Sequence, residues 1–443
     1  MLIVLLLLSV IIIVLLTTKL DVHPFLALLA AALFFALASE MDLETIVDSV
    51  NTGFGVTLGK IGLVIILGVI IGKFLENTGA AYKLANVVLK IIGEKNVHAA
   101  MGIIGYIVSI PVFADSGFII LNPLNKSLSK KAKVSLAGTA VALILGLMLT
   151  HVMVPPTPGP IAAAGILKAD IGLVMLVGLV VSALSLVVAI IYAQKYVSKT
   201  WIDPNPELSQ EQVDEKVKNS PSAFKSFLPI LVPIVLIIGK SIVEYNAGEG
   251  SKSSFEQIIG FIGSPTIALL IGALLAFLLP KKFERKMLST TGWVGEALLE
   301  SSNILLITGA GGIFGTILQK SDIADSLTSM LSGANLGIWL PFILTAAIKS
   351  AQGSSTVALI TAASIMAPLL HTMGFETEMQ KALMVVAIGA GAAVVPHVND
   401  SGFWVVTQLT GMDINTGLRL YTKGAFICGT FAAFVVYIWS LFV

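Results

Sequence analysis

Charge is scarce: 12% of the 443 residues are Asp, Glu, Lys or Arg, where a soluble domain carries about 25%. Too few charged side chains remain to cover a water-exposed surface. That excludes a soluble enzyme of ordinary type, a soluble barrel and a disordered chain. The signs nearly cancel at a net +1, so no basic field exists for a nucleic-acid partner. The single cysteine, Cys428, permits no intrachain disulfide and no CxxC or Cys/His metal spacing. No charge precedes Lys19, so the apolar opening lacks the positive region of a signal peptide and reads as a retained first span. The glycines at 309, 311, 312 and 315 have no strand before them. They read as a close helix contact rather than a nucleotide loop, and no cofactor is expected.

Apolar residues are abundant, at 56%, with a mean hydropathy of +0.94. A hydrocarbon core of about 30 Å takes about 20 apolar residues per helix. Full crossings are expected near 2–18, 24–40, 56–76, 135–167, 171–194, 227–245, 259–279, 293–319, 380–410 and 424–442. Two stretches are too long for one crossing and too short for two: 98–125, broken at PVFADSGF, and 336–370, broken at AQGSST. Each reads as a re-entrant hairpin. The expected fold is an all-α polytopic membrane protein forming one transmembrane domain, 1–443, with about 10 spans plus two hairpins. Opening the first hairpin to the cytoplasm places 19 of the 27 Lys and Arg residues inside, Lys95 among them, and leaves Lys252 outside. That bias predicts a cytoplasmic-membrane protein with both termini outside and the polar linker 195–226 inside.

The chain also repeats itself. GVIIGKFLENTGAAYKLA (68–85) matches GGIFGTILQKSDIADSLT (311–328) at an offset of 243 residues, pairing Gly68 with Gly311, Gly72 with Gly315, Ala81 with Ala324 and Leu84 with Leu327. Each half continues with a hairpin, then an apolar helix interrupted by a proline turn, VPPTPGP at 154–160 and VPHVNDSGF at 395–403. Repeats over about 56–172 and 293–415 separated by an odd number of crossings are inverted, a common plan of secondary transporters. Broken helices free N–H and C=O groups that lipid cannot satisfy, so the breaks belong beside a wet cavity. There the half-helix N-termini present positive dipole ends to an anion.

Four breaks carry the chemistry. The first holds Asp115, Ser116 and Gly117; an intramembrane carboxylate is costly unless used, although Asp115 also suits a helix N-terminus. In the second, prolines remove donors around Thr157, and His151 is a proton carrier or a neutral helix bridge. The third, Gly353, Ser354, Ser355 and Thr356, offers hydroxyls to a carboxylate or a sugar, or merely packs closely. Lys349 just upstream pairs an anionic substrate or an internal carboxylate, or reaches the headgroups. The fourth, His397, Asn399, Asp400 and Ser401, is the densest polar set in the predicted spans. Asp400 or Asp115 is expected to carry a coupled proton, with His397 or His151 as relay. Asp400 is preferred as the carboxylate sharing its break with His397 and Asn399. Glu296 and Glu300 read as solvated at a helix end.

The strings GFGVTLGKIGLVIILGVIIGKFLENTGAA (53–81), IPVFADSGFIILNPL (110–124), HVMVPPTPGPIAAAGILKADIG (151–172), AQGSSTVALITAASIMAPLL (351–370) and GAGAAVVPHVNDSGFWVV (389–406) resemble the gluconate permease family of gluconate:proton symporters. That family in turn looks like a member of the ion-transporter superfamily. The resemblance implies hairpin tips and interrupted helices meeting around a substrate, and elevator-like movement of that unit against a dimeric scaffold, hence a homodimer. Relatives also take other sugar acids, small hydroxy acids and D-serine. The family often has arginine where this chain has Lys349, which keeps the charge without the bidentate fork. The expected function is proton-coupled import of gluconate or a related small hydroxylated carboxylate. The alternatives are a sodium-coupled carboxylate or D-serine carrier of the same superfamily, and, from another class, a membrane hydrolase using Ser401 and His397.

Overall fold

A computed structural model describes residues 2–93, 96–205, 210–246, 253–321, 323 and 336–443, and every regular element among them is helical. The repeat partners Ala324 and Leu327, and Lys95 and Lys252 of the charge count, lie outside the described residues. The first half runs α1 (Leu2–Thr18), α2 (Pro24–Ala38), α3 (Leu43–Asn77), α4 (Ala80–Ile92), α5 (Val97–Val108), α6 (Ala114–Ala132), α7 (Leu136–Met153), α8 (Pro158–Leu167) and α9 (Ile171–Lys195). The linker carries α10 (Gln210–Asn219), which packs on α4 and α6. The second half runs α11 (Ala223–Asn246), α12 (Ser254–Ile262), α13 (Pro265–Ala276), α14 (Trp293–Gln319), α15 (Trp339–Gln352), α16 (Ser355–Met366), α17 (Glu378–Ala393), α18 (Ser401–Thr410) and α19 (Lys423–Ser440).

Local chemistry sets the ends. The side chains of Asp42, Ser135, Asp170 and Thr377 accept from backbone N–H groups of the first turns of α3, α7, α9 and α17, donors that a helix start leaves without intrahelical partners. Among the described residues, six helical segments are long and apolar enough to cross a bilayer alone, or seven if α12 and α13, bent by 61°, form one span. The sequence suggested ten. The shortfall includes α1 and α2, which are apolar but short, and 378–410, which divides into α17 and α18.

The segment from α7 through α8 is central: 94% of its apolar window is buried by protein, so it faces other helices rather than lipid. Cys428 is likewise buried. Helices α3 and α14 pack together along their lengths. Gly53 lies against Gly312, Gly62 against Leu305, and Lys73 against Glu296. Position numbers rise along one helix as they fall along the other, so the pair is antiparallel. The contact at Gly53 is tight enough that a Cβ there would sit 2.8 Å from Ile313 Cα.

The remaining contacts recur in matched sets. Helix α5 packs on α7 and α15 on α17; α7 packs on α9 and α17 on α19; α2 packs on α14 and α13 on α3. Across the halves, α6 meets α18 and α8 meets α16. One set is uneven: α8 packs on α3 and α16 on α14, with no contact of similar extent from α6 or α18.

Gly53→Val should lower stability by about 1–3 kcal/mol through overpacking. The check is thermal unfolding in detergent against Gly55→Val, where a Cβ meets nothing within 4 Å; equal midpoints for the two variants would refute the close crossing.

Candidate functional site

Each break ends one helix and starts another. Helix α5 stops before Pro111, and α6 begins with Asp115 in its first turn, where a negative charge complements the dipole. Helix α15 stops at Gly353, whose φ of 89° is left-handed, a conformation that glycine adopts at no steric cost. A side chain there would also strike the Asn399 carbonyl. Ser354 caps α16, accepting from Val357 N at 3.3 Å, and Asp400 caps α18, accepting from Phe403 N at 3.0 Å.

Side chains stitch the second hairpin tip to the fourth break. His397 Nε2 contacts the Ser350 carbonyl at 2.7 Å, and Asn399 Nδ2 donates to the Ser350 and Ala351 carbonyls at 3.0 and 3.2 Å. Lys349 donates to the Gly353 carbonyl and forms an ion pair with Asp400. Lys349 is 1% exposed and Asp400 9%. Ser355 Oγ donates to the Ala392 carbonyl at 3.2 Å. One further bond reaches the other half of the chain: Ser401 Oγ donates to Asp115 Oδ2 at 2.6 Å.

These pieces enclose a cavity of about 700 Å³. Asp115 and Ser116 enter it from the first tip, Gly353 to Thr356 from the second, Asn399 to Ser401 from the fourth break, and His151 from the end of α7. Three helix N-termini, those of α6, α16 and α18, therefore open onto one space. His151 Nδ1 and Asn399 Oδ1 are buried without a hydrogen-bond partner.

Four residues expected at the site do not line this space. Thr157 is 3% exposed, and its hydroxyl donates to the Val154 carbonyl. Gly117 packs under Leu147. His397 is spent on Ser350, and Lys349 on Asp400 and Gly353. Asp400, preferred in the sequence as proton carrier, is paired with Lys349 and caps α18, so it is not the unpaired carboxylate that the preference assumed. Among the described residues no lysine, arginine or histidine forms an ion pair with Asp115.

The sequence reading missed a wall of the cavity. Glu300, Asn303, Ile304 and Ile307 of α14 line it, as does Tyr421. Glu296 and Glu300 have side chains 50% and 42% exposed, as expected of solvated groups, and Lys73 of α3 bridges them at 3.3 and 2.7 Å. The i,i+4 spacing of the two carboxylates was the available signal, and Lys73 in an apolar run was its complement. Nothing in the sequence marks Tyr421, which sits in a π-helical turn, Leu418–Thr422.

A family profile described as GntP family permease matches residues 1–442. The chain belongs to the GntP permease family. It is therefore a multi-pass membrane permease, a transporter rather than an enzyme. It is 33% identical to a gluconate permease of Pseudomonas aeruginosa, covering 92% of this chain and 90% of that one. It is also 33% identical to the D-serine transporter DsdX of Escherichia coli K12, over 94% and 92% of the two chains. Its fold resembles that of the Alcanivorax borkumensis YdaH transporter, which has an unusual topology, with a TM-score of 0.63 over 90% of both chains at 13% identity.

Removing one member of a buried ion pair strands the other charge. Lys349→Met should destabilise by about 3–5 kcal/mol, while replacing both partners, Lys349→Met with Asp400→Leu, should recover most of that. A double-mutant cycle on thermal unfolding tests this; additive losses would show that the two charges do not interact.

Proposed function

We propose that this permease imports gluconate or a related small hydroxylated carboxylate together with a proton. The observation that carries the reading is the meeting of three helix N-termini and several hydroxyls around one cavity, whose adjoining buried cation, Lys349, is already neutralised by Asp400. An anion entering that space finds N–H dipoles and hydroxyls rather than a free ammonium. The first-turn N–H groups of Ser355, Thr356, Ser401 and Gly402 have no intrahelical acceptor. The hydroxyls of Ser354 and Thr356 have hydrogens to donate to the carboxylate, while Ser355 and Ser401, whose hydrogens go to the Ala392 carbonyl and Asp115, and Asn399, whose amide hydrogens go to Ser350 and Ala351, offer acceptors to the sugar hydroxyls.

Asp115 supplies the coupling. Its carboxylate faces the same space without a cation, so it opposes an anionic substrate until it takes up a proton. Proton and substrate then bind cooperatively, which is what symport requires. Ser401, bonded to Asp115, would report the state of that carboxylate to the fourth break. His151, with its unpartnered Nδ1, is placed to pass the proton on.

The matched contact sets and the antiparallel α3–α14 pair support inverted repeats over about 56–172 and 293–415. The uneven set supports a state open on the side of α6 and α18. The lysine bias supports a cytoplasmic placement of that side, with the termini outside.

A second reading has a specific observation behind it. Asp115 without a cation would also suit the ammonium of a zwitterion, and DsdX transports D-serine by its name. A thermal-shift screen of purified protein against aldonates, glycerate, lactate and D-serine separates the two, since a ligand of the native state raises its apparent stability. Gluconate should give the larger shift; a shift with D-serine alone would overturn the sugar-acid reading.

Two variant sets probe the roles. Alanine at Ser354, Ser355, Thr356 or Asn399 should weaken substrate binding by about 0.5–1.5 kcal/mol for each hydrogen bond lost, with much smaller changes in unfolding temperature; four unchanged affinities would exclude this site. Asp115→Asn should abolish pH-driven accumulation in proteoliposomes while sparing substrate exchange. Undiminished accumulation would remove Asp115 from the coupling, and accumulation that follows an imposed sodium gradient would replace the proton with sodium.

A further inference from the structure

We propose that a second cavity, of about 180 Å³, is a docking site for the carboxylate of a small organic anion, at the other end of the α3–α14 crossing from the main cavity. Thr57 and Lys60 of α3, Thr316 and Gln319 of α14, and Lys168 at the end of α8 line it. On α14 the two cavities centre about 12 residues apart, roughly 18 Å at 1.5 Å per residue.

Among the described residues neither ammonium at this site, Lys60 or Lys168, is held in an ion pair, and Thr57, Thr316 and Gln319 make no side-chain hydrogen bond. The acids nearby in sequence or packing are occupied elsewhere. Asp48 pairs with Lys320 at 2.6 Å, Asp170 accepts from Leu173 N at 2.8 Å and from Ser241 Oγ at 2.6 Å, and Glu378 pairs with Lys381 at 2.8 Å. Two free ammonium groups over a concave surface raise the local concentration of anions. The hydroxyls and the amide beside them add the directional bonds that orient a carboxylate.

The repeat gives the site a place in the molecule. At the 243-residue offset Lys60 corresponds to Asn303 and Thr57 to Glu300, two residues of the α14 wall of the main cavity. The same stretch of repeated helix thus borders a cavity on each side of the crossing, with a cation and a hydroxyl on one side and an amide and a carboxylate on the other. Helix α8 packs on α3, so separating the two would widen the smaller cavity toward the substrate-binding tips. An anion held at Lys60 and Lys168 would stand at the entrance to that path. The anion's identity rests on the sugar-acid reading; the existence of the site does not.

The test uses the full-length protein carrying Cys428→Ala and Thr316→Cys, labelled with an anionic sulfonatoethyl and a cationic trimethylammonioethyl thiosulfonate. The anionic-to-cationic rate ratio, corrected for intrinsic reactivity, should fall about tenfold when Lys60→Gln and Lys168→Gln are added, as two nearby charges predict. Lys60→Arg with Lys168→Arg should keep it. Gluconate should slow labelling, and should still do so with Ser355→Ala, which weakens only the main site. Gln319→Cys replaces Thr316→Cys if the latter does not fold. A ratio indifferent to both lysines, or labelling that no small carboxylate slows, overturns the proposal. Protection by lactate or acetate in a protein that gluconate neither protects nor stabilises upholds the anion site and removes the sugar-acid reading instead.

Discussion

The contact between Lys349 and Asp400 holds the site together. An ammonium that is 1% exposed cannot remain charged without a partner, because its desolvation is repaid only by a close counter-charge and by satisfied hydrogen bonds. Asp400 supplies the charge and the Gly353 carbonyl the bond. Meeting that requirement pins α15 against the start of α18. Asn399 and His397 then tie their segment to the Ser350 and Ala351 carbonyls. The open turn at Gly353 fits because it has no side chain facing Asn399.

This arrangement leaves the cavity with dipoles instead of a free cation. A lysine aimed at the substrate would hold an anion strongly and release it slowly. Helix N-termini with hydroxyls offer weaker and more directional binding, which suits a carrier that must let go on the far side. The carboxylate of Asp115 lines the same space and, among the described residues, forms no ion pair. Its bond to Ser401 joins the first hairpin to the fourth break, so the two halves of the chain share the site.

Breaks were legible because prolines, glycines and polar clusters inside apolar runs have few alternatives in lipid. All four fall at 109–113, 154–157, 353–354 and 394–400, where the sequence interrupts its own hydrophobicity. A close helix contact was legible in the glycines around 309–315, but not its partners: Gly309 and Gly312 meet α3, and Gly311 and Gly315 meet α16. The direction of Lys349 was not legible, because a cation in an apolar arm has several possible partners and only the fold selects one. Nor was the α14 wall: nothing along the chain pairs the exposed Glu300 with Lys73, more than 200 residues away in sequence.

What the sequence alone determined is the class of molecule and where its helices break. Charge scarcity demands lipid as solvent, and proline and glycine chemistry demands interruptions wherever they stand. What only the tertiary structure decided is which polar groups face one another. Asp400 and Asp115 are both intramembrane carboxylates at helix starts, and the polar neighbours His397 and Asn399 that set Asp400 apart in the sequence do not reveal its charge partner. Their difference arises because packing delivers Lys349 to one and only the Ser401 hydroxyl to the other, and the electrostatic partner of a buried charge is set by distance in space rather than along the chain.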